Sequence, residues 1–283
     1  MKKTKKIVLF LAAISVALTA CNKFLDLDPP YAQDAENYFQ NPEDYDRALT
    51  GAYDLLQGSF LHVWIGEIAS DNAIAGGESV TDTEGLHEID GMTHDAVNTE
   101  LRSVLRWNYA GITRANFLLE NKDNLEFDGK EKVVAEAKFL RAYYYFQLVK
   151  FFGDIPLVVD QRLGVEEATQ LDRTPTAEVY AQIEKDLTEA AADLDWTSTV
   201  KGHVDKGAAL SLLGKAYLYQ DKFDEAASTL DQVITEGPYA LIDDYTQLFS
   251  VANEGHSEVV FDVQYSGLEG GSYGCLICLE GNA

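Results

Sequence analysis

The stretch that most constrains the fold is residues 205–240. Leu210, Leu213, Gly214, Tyr217, Phe223, Ala226 and Leu230 recur there at helical spacing, and Pro238 closes the run. Such spacing lays one apolar face along each of two consecutive helices. Gly214 and Ala226 are small, so the two helices are expected to approach closely. Tyr217, Phe223 and Leu230 are expected to fill the space between them. Two helices cannot bury their outer faces alone, so neighbouring pairs are required.

The offsets match the tetratricopeptide repeat, with Leu210 in place of the usual Trp. Other segments supply the neighbours. Asn41-Pro42-Glu43-Asp44 reads as a helix start, with a capping Asn, Pro in the first turn and acids at the positive end of the dipole. Tyr45, Ala48, Leu49, Ala52, Tyr53 and Leu56 continue that face up to Gly58. Leu101, Val104, Leu105, Asn108, Ile112 and Ala115 mark a partner helix. Val133, Ala137, Leu140, Tyr144, Leu148 and Phe151 mark the strongest helix, stopped by Gly153 and Pro156. Thr174-Pro175 opens another, with Val179, Ile183, Leu187, Ala190 and Leu194 on one side. The expected pairs are 43–57 with 98–121, 133–151 with 175–194, and the two helices of 205–236.

Residues 59–95 show no helical period and carry several glycines and many acids, so they read as a long irregular excursion. Loops of that length in a compact domain are usually functional or disordered. Val259, Phe261, Val263 and Tyr265 alternate with Val260, Asp262 and Gln264, which reads as a strand. The expected fold class is therefore mainly α: tetratricopeptide-like antiparallel helix pairs, a long irregular ligand-side excursion and a C-terminal strand. The helical domain is expected over residues 41–240.

The first twenty residues read as an address. Four lysines precede an apolar run from Ile7 to Leu18, too short to span a bilayer. Leu18-Thr19-Ala20-Cys21 fits a bacterial lipobox. Residues 1–20 are thus expected to be a lipoprotein signal peptide, Cys21 the acylated residue and 21–40 a lipidated tether. Several acyl chains give stable anchoring without a transmembrane helix.

Charge narrows the ligand. The chain holds 22 Lys+Arg against 47 Asp+Glu, a formal net charge of −25, which disfavours binding to phosphate backbones. Three catalytic or metal patterns occur and lack their context. Gly270-Gly271-Ser272-Tyr273-Gly274 has no Asp or His after it. His87-Glu88 is followed by Gly91 where a second zinc ligand would stand. Cys275-Leu276-Ile277-Cys278 has no second cysteine pair. The acids of the excursion do not follow calcium-loop spacing and read as a solvated face. Trp107 and Tyr143 to Phe146 fall at core spacing and read as packing.

Several segments together resemble the SusD/RagB-type nutrient-binding lipoproteins of Bacteroidetes. They are Cys21-Asn22-Lys23-Phe24-Leu25-Asp26, Glu67-Ile68-Ala69-Ser70-Asp71-Asn72 and Tyr109-Ala110-Gly111-Ile112-Thr113-Arg114-Ala115-Asn116. Glu136 to Phe146, Phe152-Gly153-Asp154-Ile155-Pro156-Leu157 and the repeat at 208–239 complete the set. The resemblance covers the N-terminal half of such proteins. It implies a non-enzymatic, outer-membrane, lipid-anchored protein that binds oligosaccharide and delivers it to a SusC-type TonB-dependent channel, with no cofactor and no nucleic acid. Within the part present it directs attention to the excursion, where Asp71, Asn72, His87, His94 and Asn98 offer hydrogen-bonding groups. No aromatic stands between Trp64 and Trp107 to stack on a sugar. Arg114 and Arg141 are expected to pair with acids inside the helical layer. Residues 241–283 read as the start of a second part that is cut short. The rival expectations are a tetratricopeptide-type peptide-binding adaptor and a truncated fragment without function.

Overall fold

The computed structural model describes residues 38–79, 81–159 and 161–264. The signal peptide, Cys21, most of the tether, the Cys275/Cys278 pair and Tyr265 lie outside the described residues. No described helix is long and apolar enough to cross a membrane.

The main helices follow the expected order: α1 (Pro42–Asp54), α2 (Phe60–Ile68), α3 (Glu84–Asp90), α4 (Thr99–Glu120), α5 (Lys130–Phe152), α6 (Val165–Ala168), α7 (Thr176–Asp193), α8 (Lys206–Leu218) and α9 (Phe223–Glu236). Each long helix packs on the next in the series α1, α4, α5, α7, α8, α9. The three expected pairs are therefore α1/α4, α5/α7 and α8/α9.

Local chemistry sets the helix starts. The Asn41 side chain accepts from the Asp44 amide at 3.1 Å, and the Asp44 carboxylate accepts from the Asn41 amide at 3.2 Å. Asp205 caps α8 by accepting from the Ala208 amide at 2.9 Å. Its other carboxylate oxygen accepts from the Tyr239 hydroxyl at 2.8 Å, tying the chain after α9 back to the start of α8.

The centre of the layer is α5. The sequence marks one face of it, but Arg141, Tyr145, Phe146 and Gln147 are buried as well as Ala137, Leu140, Tyr144 and Leu148. A helix clamped between α4 and α7 has no solvent face along most of its length, which explains the extra burial. Small residues set the spacing. The Tyr144 ring occupies the place where a side chain at Gly111 would go, and its hydroxyl donates to the Ala52 carbonyl at 2.6 Å. In the last pair, a Cβ at Gly214 would lie 2.6 Å from Leu230 Cγ, so the close approach expected there is present. Phe223 departs from expectation: it is the first residue of α9 and stands 60% exposed rather than filling the pair.

One buried ion pair crosses the central pair. Arg141 Nε and Nη2 donate to the two Asp186 carboxylate oxygens, each at 2.8 Å, and Nη1 donates to Asn116 Oδ1 at 2.9 Å. Asn116 in turn donates to the carbonyls of Val158 and Gln161 at 3.0 and 3.1 Å, pinning the segment after α5. The structural role expected for Arg141 is met. Arg114 is exposed but also structural, donating to the Gly51 carbonyl and to Asp54 at 2.6 and 2.8 Å.

Two expectations are corrected. The excursion is not irregular throughout: α2 and α3 interrupt it, and before it the first helix ends at Asp54, with a 3-10 turn (Leu55–Ser59) where the helix was expected to run on to Gly58. Leu61, Ile65, Ile89 and Val104 form a small core of their own there, with Trp107, Phe151 and Phe152 packed against it. Both helices are short and each buries residues only one turn apart, too few for a visible period. The second correction concerns the C-terminal strand. Residues 259–264 form no strand, and the one β-bridge among the described residues joins Ile155 to Thr174. Alternation alone is insufficient without a neighbour to supply the ladder.

Candidate functional site

The candidate loop runs from the end of α2 to the start of α4. Ser70 closes α2 by donating its hydroxyl to the Glu67 carbonyl at 2.8 Å, and the same oxygen accepts from the Asn72 amide at 3.2 Å. That local turn leaves the side chains of Asp71 and Asn72 exposed. The chain then crosses to α3, where the Ala75 amide donates to Asp90 Oδ2 at 3.1 Å. Further on, the Asp82 carboxylate accepts from the Glu78 amide at 3.3 Å.

Backbone strain brackets α3. Thr83, just before it, has φ +53°, and Met92, just after it, has φ +51°. A β-branched residue in the left-handed region is uncommon and is held there only by its surroundings. Asn98 ties α3 to α4. Its side-chain oxygen caps α4 by accepting from the Glu100 and Leu101 amides, both at 3.0 Å. Its side-chain nitrogen donates to the Gly85 carbonyl at 2.9 Å and to Glu88 Oε2 at 2.7 Å. Asn98 is 4% exposed. It is therefore not a ligand-facing group. It fixes α3 against α4, and the sequence signal for that was present: an Asn directly before Thr-Glu and an apolar period is a helix cap.

The remaining candidates divide by exposure. Asp71, Asn72 and His94 are exposed, while His87 is half-buried on α3. His87 Nε2 is buried without a hydrogen-bond partner among the described residues. The His94 backbone amide donates to the Glu88 carbonyl at 3.1 Å, so the return from α3 is anchored by its backbone and its imidazole is left outside. Ile74 and Val97 stand 82% and 76% exposed in the same loop, offering apolar contact in place of an aromatic platform. The acids gather no metal cluster: no group of three or more His, Cys, Asp or Glu among the described residues is arranged to hold a metal ion. A loop that presents amide, imidazole, carboxylate and aliphatic groups on a rigid helical layer can bind a hydroxyl-rich neutral ligand.

Residues 23–218 match the SusD-like family model described as starch-binding and associating with the outer membrane. SusD-like protein P25 of Formosa agariphila is 24% identical over 263 residues, covering 87% of this chain and 49% of that protein. The starch-binding protein SusD of Bacteroides thetaiotaomicron is 26% identical over 175 residues, covering 58% of this chain and 30% of the relative. Among solved structures, a laminarin-binding SusD-like protein superposes with a TM-score of 0.75 at 32% identity, covering 81% of this chain and 52% of that one. A SusD superfamily protein from Bacteroides vulgatus superposes with a TM-score of 0.70 at 26% identity, covering 80% of this chain and 50% of that one. The chain spans about half the length of the first curated relatives it matches. With the family model covering most of the sequence, the chain belongs to the SusD-like family, described as starch-binding and associating with the outer membrane.

Proposed function

We propose that this protein is a surface lipoprotein, anchored through acylated Cys21, that binds oligosaccharide without transforming it. It hands the ligand to a SusC-type TonB-dependent channel in the outer membrane. The observation that carries the ligand class is the loop 71–97, where Asn72, Asp71 and His94 are exposed on a backbone fixed by Asn98 and Asp90. Neutral sugars offer hydroxyls and apolar ring faces, and they suffer no repulsion from the many acids around this loop. The starch-binding relative and the laminarin-binding neighbour support the same class, since both polymers are built of uncharged glucose.

Isothermal titration against neutral oligosaccharides, with an extended peptide as control, tests the reading. Asn72→Ala and His94→Ala are each expected to weaken glycan binding. Binding of the peptide alone would favour an adaptor instead, and glycan binding indifferent to both changes would remove the loop from the site.

A further inference from the structure

A second groove lies on the outer side of α4, against the end of α1 and the 3-10 turn that follows it. Its volume is about 470 Å³, within the range of small-ligand sites, and it is lined by Asp54, Leu55, Arg106, Trp107, Ala110 and Arg114, with Ser103 at its edge. Arg106, Ala110 and Arg114 fall at steps of four and so share one face of α4. Ala110 leaves the space between the two arginines open. Trp107 is half-buried, and its indole rests on Gly58, where an added Cβ would lie 3.0 Å from Cδ2. The glycine in the 3-10 turn therefore gives the ring its seat.

Arg47, Arg114, Arg141 and Arg162 each hold a carboxylate. Arg106, and Arg102 one turn before it, are exposed and have no ion-pair partner among the described residues. Arg173 likewise has no ion pair among the described residues, but it does not line this groove. Asp54, the acid in the groove, is occupied by Arg114 at 2.8 Å and also accepts from the Gln57 amide at 3.1 Å. The Arg114–Asp54 pair is thereby held in place, and the Arg106 guanidinium is left with its donors toward the groove and solvent.

We infer that this groove is a subsite for an anionic sugar unit, whose ring packs beside Trp107 while its carboxylate or sulfate is taken by Arg106. An aromatic ring supplies a surface for the pyranose face. A guanidinium fork matches a carboxylate or sulfate with two parallel hydrogen bonds. The inference rests on the glycan-binding reading but concerns a different surface from Asn72 and His94, and it extends the ligand class from neutral to acidic oligosaccharides.

The test uses Trp107 as its own reporter, in a Trp64→Phe, Trp196→Phe background. Three tetrasaccharides are titrated: one of uronic acids, one sulfated and one neutral. At least one acidic probe is expected to change the Trp107 fluorescence, with an affinity that falls steeply as salt is raised. Arg106→Glu is expected to weaken that probe about ten-fold or more, with Arg106→Lys intermediate. The neutral probe should be indifferent to both changes and sensitive to Asn72→Ala. A response to the uronate alone assigns a carboxylate ligand, and a response to the sulfated probe alone assigns a sulfate. The inference is overturned if acidic and neutral probes bind alike, if Arg106→Glu leaves acidic binding unchanged, or if an acidic peptide binds where no acidic sugar does. Neutral binding that persists through those outcomes would leave the loop reading standing.

Discussion

His203 Nδ1 lies 2.8 Å from Glu136 Oε2, and that single carboxylate oxygen also accepts from the Tyr53 hydroxyl at 2.6 Å. The Val204 amide donates to the same hydroxyl at 2.9 Å. The segment between α7 and α8 is thereby clasped to α1 and α5. The hydrogen bond to Glu136 raises the His203 pKa above its ordinary 6.5, with burial opposing and the charges of Glu136 and Asp46 adding to the rise. The folded protein thus holds this proton more tightly than the unfolded chain. Its contribution to stability is complete below pH 6.5 and is lost as pH rises through the raised value. Urea midpoints for wild type and His203→Gln should differ most at acid pH and converge on the alkaline side. A constant difference across that range would show that His203 does not titrate against Glu136.

Gly214→Leu should overpack the α8/α9 contact, because Leu230 already occupies the space. A loss of about 1–3 kcal/mol is expected. Leu230→Ala in the same chain should recover part of it, read as the coupling term of a double-mutant cycle by thermal unfolding. Additive effects would contradict the contact.

Arg141→Met should cost about 3–5 kcal/mol, since it strands Asp186 without its partner in a buried place. Burial already raises the Asp186 carboxyl against the pull of the guanidinium. Once the guanidinium is gone the carboxyl should take up a proton more readily, so the variant should regain stability as pH falls. Unfolding of the variant followed from neutral to acid pH checks both the size and the slope.

Asn98→Ala removes a helix cap and two bonds to α3 at once. The cap alone is worth about 0.5–2 kcal/mol. Limited proteolysis should then cut faster between residues 71 and 97, with the main layer left intact. Unchanged cleavage would place the hold on α3 elsewhere.

Cys21→Ser should abolish acylation and shift the protein out of the outer-membrane fraction. Fractionation of cells expressing both forms tests it, and equal distribution would refute the lipobox reading.

The helical layer was legible because its signals are redundant. Apolar periods mark α1, α4, α5, α7 and α8, a capping Asn41 opens α1, Gly153 stops α5, and chain order places the partners. The burial of α5 on all sides was not legible, since period reports one face and not the number of neighbours. Asn98 was misjudged although its place directly before Thr99-Glu100 marks a cap, because the amide that caps a helix is the same group that binds a hydroxyl. Trp107 was read as packing, which is half of what it does. It rests on Gly58 and also lines a groove, and the second role depends on the 3-10 turn that brings Leu55 and Gly58 alongside α4.

Asp54 ends α1 and pairs with Arg114, whereas α4 begins at Thr99, 15 residues earlier (114 − 99), so the segment between the two helices must run back along about 22 Å of α4 before that helix starts. The entropy of closing such a segment grows only with the logarithm of its length, about 0.6 kcal/mol for each doubling. Extra length beyond that span therefore costs little, whereas Leu61, Ile65 and Ile89 must still meet Val104. Whatever that added length carries, the tyrosine that fills the space over Gly111 keeps α4 and α5 in register beneath it.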